Sequence, residues 1–101
     1  MAYDRYMGFE WDAAKNKANH EKHGVSFGDA VELLRSEDDY LEIRDAAHSD
    51  HEDRFIAIGP IREGIVLVVW TERFEATIRV ISARWATKRE IELYRRYMEN
   101  R

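Results

Sequence analysis

The 101-residue sequence contains no cysteine, and no apolar run approaches the ~20 residues that a membrane-spanning helix needs. The absence of cysteine excludes disulfides and thiolate chemistry and is compatible with a reducing cytoplasm. The N-terminal stretch MAYDRYMGFEWD lacks the apolar centre of a secretory leader. The sequence therefore predicts a cytoplasmic protein without a membrane segment, and its length fits one domain over residues 1–101.

Motifs that would identify an enzyme directly are also missing. The sequence has no Walker loop, no dinucleotide-binding fingerprint and no nucleophile with an obvious neighbouring base. It contains no internal repeat, no low-complexity segment and no linker. Its function must therefore be argued from the charged and aromatic side chains.

The charge is distributed unevenly along the chain. The net charge is -4, but residues 1–53 sum to -8 and residues 54–101 to +4. Such asymmetry is typical of a protein with an acidic face and a basic face, the basic one being available to phosphates. A small domain can also show this imbalance by chance, so a plain solvated surface stays open as an alternative.

Capping residues and hydrophobic periodicity predict three helices. Asp12 and Gly24 bracket a polar first helix as N-cap and C-cap. Ser26 and Thr87 each open a capping-box pattern at the start of a later helix. Apolar stripes are expected on these two helices, at Phe27, Ala30, Val31 and Leu34 and at Ile91, Tyr94 and Met98.

Five strands complete the predicted order βααββββα. The apolar run Ile65–Trp70 is typical of a central strand that is buried on both faces. Strands over residues 40–44, 54–59 and 77–84 join it in an antiparallel meander. Leu41 and Ile43 of the first are expected to point inward, and Pro60 to mark the end of the second or an edge of the sheet. Residues 7–11 supply the remaining strand. The predicted fold is α+β, a twisted antiparallel sheet with two N-terminal helices and one C-terminal helix on one face.

Arginines within the strands are the main functional signal. Arg79 and Arg84 lie in the last strand among apolar neighbours, which hold them in defined directions, as a phosphate site requires. Their spacing of five residues points them to opposite faces of a regular strand, unless a bulge or bend re-aims Arg84. Arg54 opens another strand and Arg73 lies in a turn. A plain surface arginine is the alternative for Arg79.

Two His-x-x-His pairs raise the question of a metal site. His20 and His23 lie at the end of the first helix, where a charged histidine interacts favourably with the helix dipole, and His23 is also a candidate proton-transfer group. His48 and His51 lie in a loop with three aspartates, but neither pair has a third ligand at a characteristic spacing. Surface roles are favoured, and no metal or other cofactor is expected.

Tryptophans and lysines complete the candidate residues. Trp11 and Trp70 are predicted to lie in the core. Trp85 ends the last strand, where it either packs between the sheet and the last helix or offers an aromatic platform to a nucleobase. Lys15 and Lys22 share one side of the first helix, which is either a solvated face or an RNA contact.

Three segments of the chain form a specific pattern: FEWDAAKNKANHEKHGVSF, HEDRFIAIG and IRVISARWATKREIELY. In this order and at these separations they resemble the BrnT toxins of bacterial type II toxin–antitoxin modules. The resemblance covers roughly half of the chain. One departure is Trp85, which stands where the family often has a basic residue.

The resemblance implies a RelE-like fold with an active site on a concave sheet face. It implies a ribonuclease that cuts RNA without a metal ion and inhibits translation. It also implies a cognate BrnA antitoxin, whose ribbon–helix–helix part binds operator DNA while another part covers the toxin. The toxin would then meet operator DNA only through the antitoxin, for example in a toxin–antitoxin heterotetramer.

Metal-free RNA cleavage requires a base for the 2′-hydroxyl, positive charge at the phosphorane and an acid for the leaving 5′-oxygen. A guanidinium suits the second task because its charge is permanent and its donors form a fork. His23 or Glu90 is the candidate base, and Tyr94 or His23 the candidate acid. The capping box accounts for Glu90 without catalysis, however, and Tyr94 fits a core position. The candidates for phosphate charge are Arg54, Arg79 and Arg84, and those for further RNA contacts are Lys15, Lys22, Arg73 and Trp85.

Functions of different classes remain open. The first is a toxin that cleaves free or ribosome-bound mRNA and is held inactive by its antitoxin. The second is a catalytically silent relative that acts only with an antitoxin in operator repression, which the acidic net charge and the lack of a clear acid–base pair favour. The third is a small metal-binding protein that uses His48, His51 and the nearby aspartates.

Overall fold

The computed structural model describes residues 8–36, 40–74 and 76–101. Expectations that fall on residues 7, 37–39 and 75 lie outside these ranges. The elements follow the predicted order, with one additional 3-10 turn at Ala46–His48: β1 (Gly8–Glu10), α1 (Ala13–His23), α2 (Phe27–Arg35), β2 (Leu41–Arg44), β3 (Arg54–Ile61), β4 (Gly64–Arg73), β5 (Thr77–Trp85) and α3 (Lys88–Glu99).

Each helix begins at the capping residue that the sequence predicts. The Asp12 side chain accepts a hydrogen bond from the backbone N–H of Lys15 at 3.0 Å, and Gly24 ends α1 in the left-handed region with φ 74°. Ser26 and Thr87 both form complete capping boxes. Within the described part of the chain, no helix is long and apolar enough to cross a membrane.

The five strands form one sheet in the order β1-β5-β4-β3-β2, so the predicted central strand, β4, lies in the middle. The meander from β2 to β5 is antiparallel, as predicted. The short β1 pairs with β5 in parallel, an arrangement that the long helical connection between them permits. The sheet is therefore mixed, with one parallel pair at its edge.

The main core lies between α2, together with the preceding Val25, and one side of the sheet; α1 contributes no apolar residue to it. We call this side the core face; it carries Ala57, Val66, Val68, Trp70, Ile78, Val80 and Ala83. Phe27 and Leu33 of α2 are completely buried against it. Burying a side chain of that kind contributes about 1.5–3 kcal/mol of transfer free energy. The core face is thus the main source of stability.

Helix α3 lies on the opposite side of the sheet, against β2 and β3. Ile58 and Leu67 point to that side, since they alternate with core-face residues, and they are only 2% and 6% exposed. The prediction that all three helices cover one face is therefore wrong. The apolar stripe of α3 is only half-buried, so α3 covers a small part of its side and leaves the rest open.

Of the two alternatives for Pro60, the edge position is observed: strand β3 continues through Pro60, because β2 ends opposite Ile58 and leaves the proline at an edge. Two smaller predictions are wrong. Ile43 was expected to point inward but is 39% exposed on the edge strand β2. Trp11 was expected in the core but is 37% exposed and meets Phe27 edge-on, with 6.4 Å between ring centroids. The predicted burial of Trp70 is confirmed.

Candidate functional site

A β-bulge in β5 decides where the two predicted strand arginines point. In the register with β4, Val80 and Ser82 oppose consecutive residues, and Ile81 between them is left without a partner. The extra residue shifts the alternation of side chains by one. Arg79 and Arg84 therefore lie on the same side of the sheet, opposite the core face, although their spacing in a regular strand would separate them.

Cross-strand pairing brings further polar residues to this side. Arg54 of β3 and Arg79 of β5 both lie opposite Thr71 of β4. Glu10 of β1 is the partner of Arg79 on its other flank. A single row across four strands thus runs from Arg54 through Thr71 and Arg79 to Glu10. We call this side the arginine face; its arginines are Arg54, Arg73, Arg79 and Arg84.

The carboxylate of Glu10 lies between two of these arginines without satisfying either. Its Oε1 is 3.5 Å from Nη1 of Arg79 and 3.9 Å from Nε of Arg73, both too long for a good hydrogen bond. This oxygen is buried and has no hydrogen-bond partner in the described structure. Such loose, partly solvated ion pairs contribute little stability. The donors of Arg79 are therefore available to an anion from solution.

Arg54 is positioned by its backbone and keeps free donor capacity. Its N–H donates to Oγ of Ser49 at 3.1 Å, and its partner Thr71 donates from Oγ1 to the carbonyl of Asp53 at 2.6 Å. Its buried Nε is 3.8 Å from a carboxylate oxygen of Glu52 and has no hydrogen-bond partner among the described residues, while the side chain as a whole is 36% exposed. The start of β3 is thus fixed while the guanidinium remains able to bind an anion.

Arg84 differs from the other residues of the arginine face because it forms a close bidentate ion pair. Its Nη1 and Nη2 donate to the two carboxylate oxygens of Glu90, each at 2.8 Å, and Glu90 also accepts from the Thr87 N–H at 2.8 Å. The hydrogen bonds from Arg84, followed by that from Thr87, lower the pKa of Glu90 to about 2. Glu90 is therefore a weak proton acceptor, and its carboxylate ties α3 to the arginine face.

Helix α1 lies along the open edge of β5, where Asn19 replaces a strand partner. Its Nδ2 donates to the carbonyls of Ala83 at 2.7 Å and Val25 at 2.9 Å, and its Oδ1 accepts from the Ala83 N–H at 3.2 Å. These bonds satisfy backbone groups that β1 is too short to reach. Asn19, which the sequence places beside Lys15 and Lys22, is thus a structural residue.

The predicted residues of α1 lie beside the sheet edge. Lys15 and Lys22 are exposed and His23, the last residue of the helix, is half-buried. Within the described residues, His23 forms no hydrogen bond or ion pair that would direct its ring toward the arginine face. Helix α1 begins three residues after Glu10, the partner of Arg79, so its start is the end nearer that face. The hydrogen bond from the Lys15 N–H lowers the pKa of Asp12 at this end.

Trp85 and Tyr94 lie on different sides of the sheet. Trp85 pairs with Val66 on the core face, and its ring packs so close to Gly64 that a Cβ added there would be 3.3 Å from it. Trp85 therefore packs against the start of β4; the expected packing between the sheet and the last helix is wrong, since α3 lies on the other side. Tyr94 lies one helical turn after Glu90, on the half-buried side of α3 that is turned toward the arginine face.

The loop that contains His48 and His51 forms an ion pair within itself. His48 Nδ1 is 2.9 Å from Oδ2 of Asp45. Across residues 8–36, 40–74 and 76–101, no group of three or more histidine, aspartate or glutamate side chains is arranged to hold a metal ion. The structure thus provides no ligand set for the metal-binding alternative in these ranges.

Sequence reasoning missed three contributors to the arginine face. Glu10 lies within the FEWD motif, but its neighbours depend on the parallel pairing of β1. Thr71 and Arg73 were expected in the turn after the apolar run Ile65–Trp70, but both continue β4, and Thr71 is 2% exposed. Phe74 follows in the β4–β5 turn, where the guanidinium of Arg73 lies 5.5 Å from its ring centroid. Only the aromatic character of Phe74 was visible in the sequence as a signal.

Comparisons with known proteins identify the family of the chain. Residues 11–90 match the profile of a family described as the ribonuclease toxin BrnT of type II toxin–antitoxin systems. The chain is also similar to the crystal structure of the Brucella abortus ribonuclease toxin BrnT, with a TM-score of 0.63 and 27% sequence identity over 81% of this chain and 99% of that one. No curated protein sequence matches significantly. Motifs, profile and fold agree, and the chain belongs to the BrnT family of ribonuclease toxins.

Proposed function

We propose that this toxin is an endoribonuclease that cleaves RNA on the arginine face without a metal ion. The observation that carries the proposal is the row in which Arg54 and Arg79 flank Thr71. Two strand spacings of ~4.8 Å separate their backbones by about 10 Å, so the two long side chains can approach one phosphate from both sides. Both keep unsatisfied or loosely paired donors for that task.

The proposed reaction uses the RNA's own 2′-hydroxyl. Its oxygen attacks the adjacent phosphorus, the bond from phosphorus to the 5′-oxygen breaks, and the products are a 2′,3′-cyclic phosphate and a free 5′-hydroxyl. Arg54 and Arg79 would stabilise the negative charge that grows on the phosphorane. Because guanidinium groups carry a permanent charge, this stabilisation does not require a metal ion.

Glu10 is the proposed base that accepts the proton of the 2′-hydroxyl. It is the carboxylate beside Arg79, and its Oε1 has no hydrogen-bond partner in the described structure. Glu90 suits this role less, since its pKa is about 2 and both of its oxygens are bound to Arg84. Tyr94 and His23 remain the candidate donors for the leaving oxygen. Comparing Tyr94→Phe with His23→Gln in the cleavage reaction distinguishes these two donors.

Arg84 is proposed to hold a flanking part of the RNA. Five residues of strand separate its backbone from that of Arg79 by roughly 15 Å, which is too far for both to bind one phosphate. Its pairing with Glu90 leaves a 38% exposed side chain that can still contact a neighbouring phosphate. Arg73, Lys15 and Lys22 would add further positive charge along the strand.

Membership in a type II toxin family implies a protein antitoxin as partner. We propose that this antitoxin is of the BrnA type, that it covers the arginine face, and that a toxin–antitoxin heterotetramer binds operator DNA through its ribbon–helix–helix part. The toxin itself would act in the cytoplasm, on free or ribosome-bound mRNA.

Single-turnover cleavage of single-stranded RNA by the purified full chain in EDTA tests the proposal. We expect the wild type to cleave and Arg79→Ala to be about 100–1000-fold slower, as when one donor to a developing anion is removed. Arg62→Ala, at an exposed position in the β3–β4 turn, is the matched control and should keep the wild-type rate.

Two results would contradict the proposal in different ways. Cleavage only after Mg²⁺ is restored would refute metal independence. Intact RNA under both conditions, together with operator binding by the toxin–antitoxin complex, would identify the silent, repressor-only alternative.

A further inference from the structure

Phe74 is exposed to an unusual degree for a large apolar side chain. It is 80% exposed, whereas the other exposed large apolar residues of the described chain lie between 37% and 44%. A single exposed apolar residue needs no explanation by itself. The position of this ring beside the arginine face, however, gives it neighbours of a defined chemistry.

The backbone of Phe74 is also strained. It is the non-glycine residue with positive φ in the described chain, at 55°. Bulky side chains rarely adopt this left-handed conformation, which asparagine and glycine tolerate better. A strained residue whose side chain contributes nothing to the core is a candidate for a functional role.

The Phe74 ring lies next to Arg73, which is one of the charged groups on the arginine face. The Arg73 guanidinium carbon lies 5.5 Å from the centroid of Phe74. Nε of Arg73 is 3.9 Å from Oε1 of Glu10, and that same oxygen is 3.5 Å from Nη1 of Arg79. The side chains of Arg73 and Glu10 thus lie between the Phe74 ring and Arg79, the arginine proposed to bind the phosphate.

We propose that Phe74 and Arg73 form a stacking subsite for an unpaired nucleobase of single-stranded RNA. The inference rests on the proposed function and adds a base-binding site to it. Aromatic rings stack on any base, and an arginine beside the ring adds a cation–π interaction and charge for the adjacent phosphate. A base held at the hairpin would fix the strand relative to Arg79, so Phe74 would contribute mainly to RNA binding.

The Arg73 guanidinium beside the ring favours RNA over a protein as the occupant, although the carboxylates of Glu52, Asp53 and Glu72 line a pocket together with Phe74. An apolar protein anchor would bring Arg73, whose ion pair with Glu10 is long, into a dry interface, where a poorly paired charge is unfavourable. A nucleotide instead brings a negative charge to Arg73 and a flat ring to Phe74. The test must therefore distinguish RNA binding at this ring from antitoxin binding.

The test uses two 2′-deoxy oligonucleotides of equal length, which lack the 2′-hydroxyl that the proposed reaction needs. One contains 2-aminopurine, whose fluorescence is quenched by stacking, and the other is abasic at that position. We expect Phe74→Asn to weaken binding of the first about 5- to 100-fold and to abolish the quenching. Binding of the abasic strand should not change.

Phe74→Asn also keeps the experiment free of a folding artefact. Asparagine tolerates the left-handed backbone, so the melting temperature of the variant should equal or exceed that of the wild type while base binding falls. Phe74→Tyr should keep the quenching, since it keeps the aromatic ring. Leu93→Ala, which removes another exposed apolar side chain, is the matched control and should bind both strands normally.

The outcomes separate this inference from the function on which it rests. A wild type that cleaves RNA, with Phe74→Asn binding both strands as the wild type does, would overturn the stacking subsite alone. The same holds if Phe74→Asn weakens only the antitoxin complex, or weakens both strands equally. A wild type that neither binds the oligonucleotides nor cleaves RNA would overturn both proposals.

Discussion

The two faces of the sheet are made by alternate residues of the same strands, yet they differ in almost every physical property. Val66, Val68 and Val80 on the core face are between 0% and 2% exposed beneath α2. The alternate positions of β3 and β5 carry Arg54 and Arg79 on a face that α3 covers only in part. The comparison shows how a domain of 101 residues separates its stability from its chemistry: one face is buried, and the other keeps its charged donors accessible.

Phe27→Ala, in the helix that packs against the core face, should have the largest effect on stability. Phe27 is completely buried, so the cavity left by its ring should lower the free energy of unfolding by about 3–5 kcal/mol. Arg79→Ala should change it by less than about 1 kcal/mol, because the ion pair of Arg79 with Glu10 is long and partly solvated. Urea denaturation of both variants checks this contrast. Equal losses would show that the two faces are not separated in this way.

Asn19→Ala should have an intermediate effect, because Asn19 links a core-face helix to the strand that carries Arg79. Removing the side chain leaves the N–H and carbonyl of Ala83 without a partner at a buried edge. We expect a loss of about 1–3 kcal/mol and faster hydrogen exchange at the Ala83 N–H. Lys22→Ala, an exposed position on the same helix, is the control. Unchanged exchange at Ala83 would refute the edge role of Asn19.

The pair of Arg84 and Glu90 should give the smallest effect, visible only in acid. The folded pKa of Glu90 is about 2, below its ordinary 4.5, so its stabilisation is fully present above pH 4.5 and is lost as the pH falls toward 2. Solvent screening limits the loss to about 1 kcal/mol. Glu90→Gln should remove this component from the pH dependence of urea denaturation. If the variant loses as much stability as the wild type when the pH falls from 4.5 toward 2, Glu90 is not the source of this pH dependence.

The sequence predicts local features of this fold well, because each depends on residues close together in the chain. The capping boxes at Ser26 and Thr87 are formed as expected, and the apolar run of β4 places it at the centre of the sheet. These signals depend on backbone hydrogen bonds within one turn and on burial of a continuous apolar strand. The order of the elements follows from them.

The site could be predicted only in part, since its geometry depends on pairing between distant strands. Arg54, Arg79 and Arg84 were named from the sequence, but the bulge at Ile81 has no signature in its local residues. Without it, the regular alternation separates Arg79 from Arg84. The neighbourhood of Glu10 was equally hidden, because a three-residue strand in parallel pairing leaves too little pattern to read.

We propose above all that the arginine face holds the phosphates of RNA. Its most direct test is the salt dependence of binding to an uncleavable 2′-deoxy oligonucleotide, measured for the wild type, Arg54→Gln, Arg79→Gln and the control Arg62→Gln. Each phosphate contact on a single strand contributes about 0.7 to the slope of log binding constant against log salt. We expect the slope to be smaller than that of the wild type by about this amount in Arg54→Gln and in Arg79→Gln, and unchanged in Arg62→Gln. Equal slopes for all four proteins would contradict it.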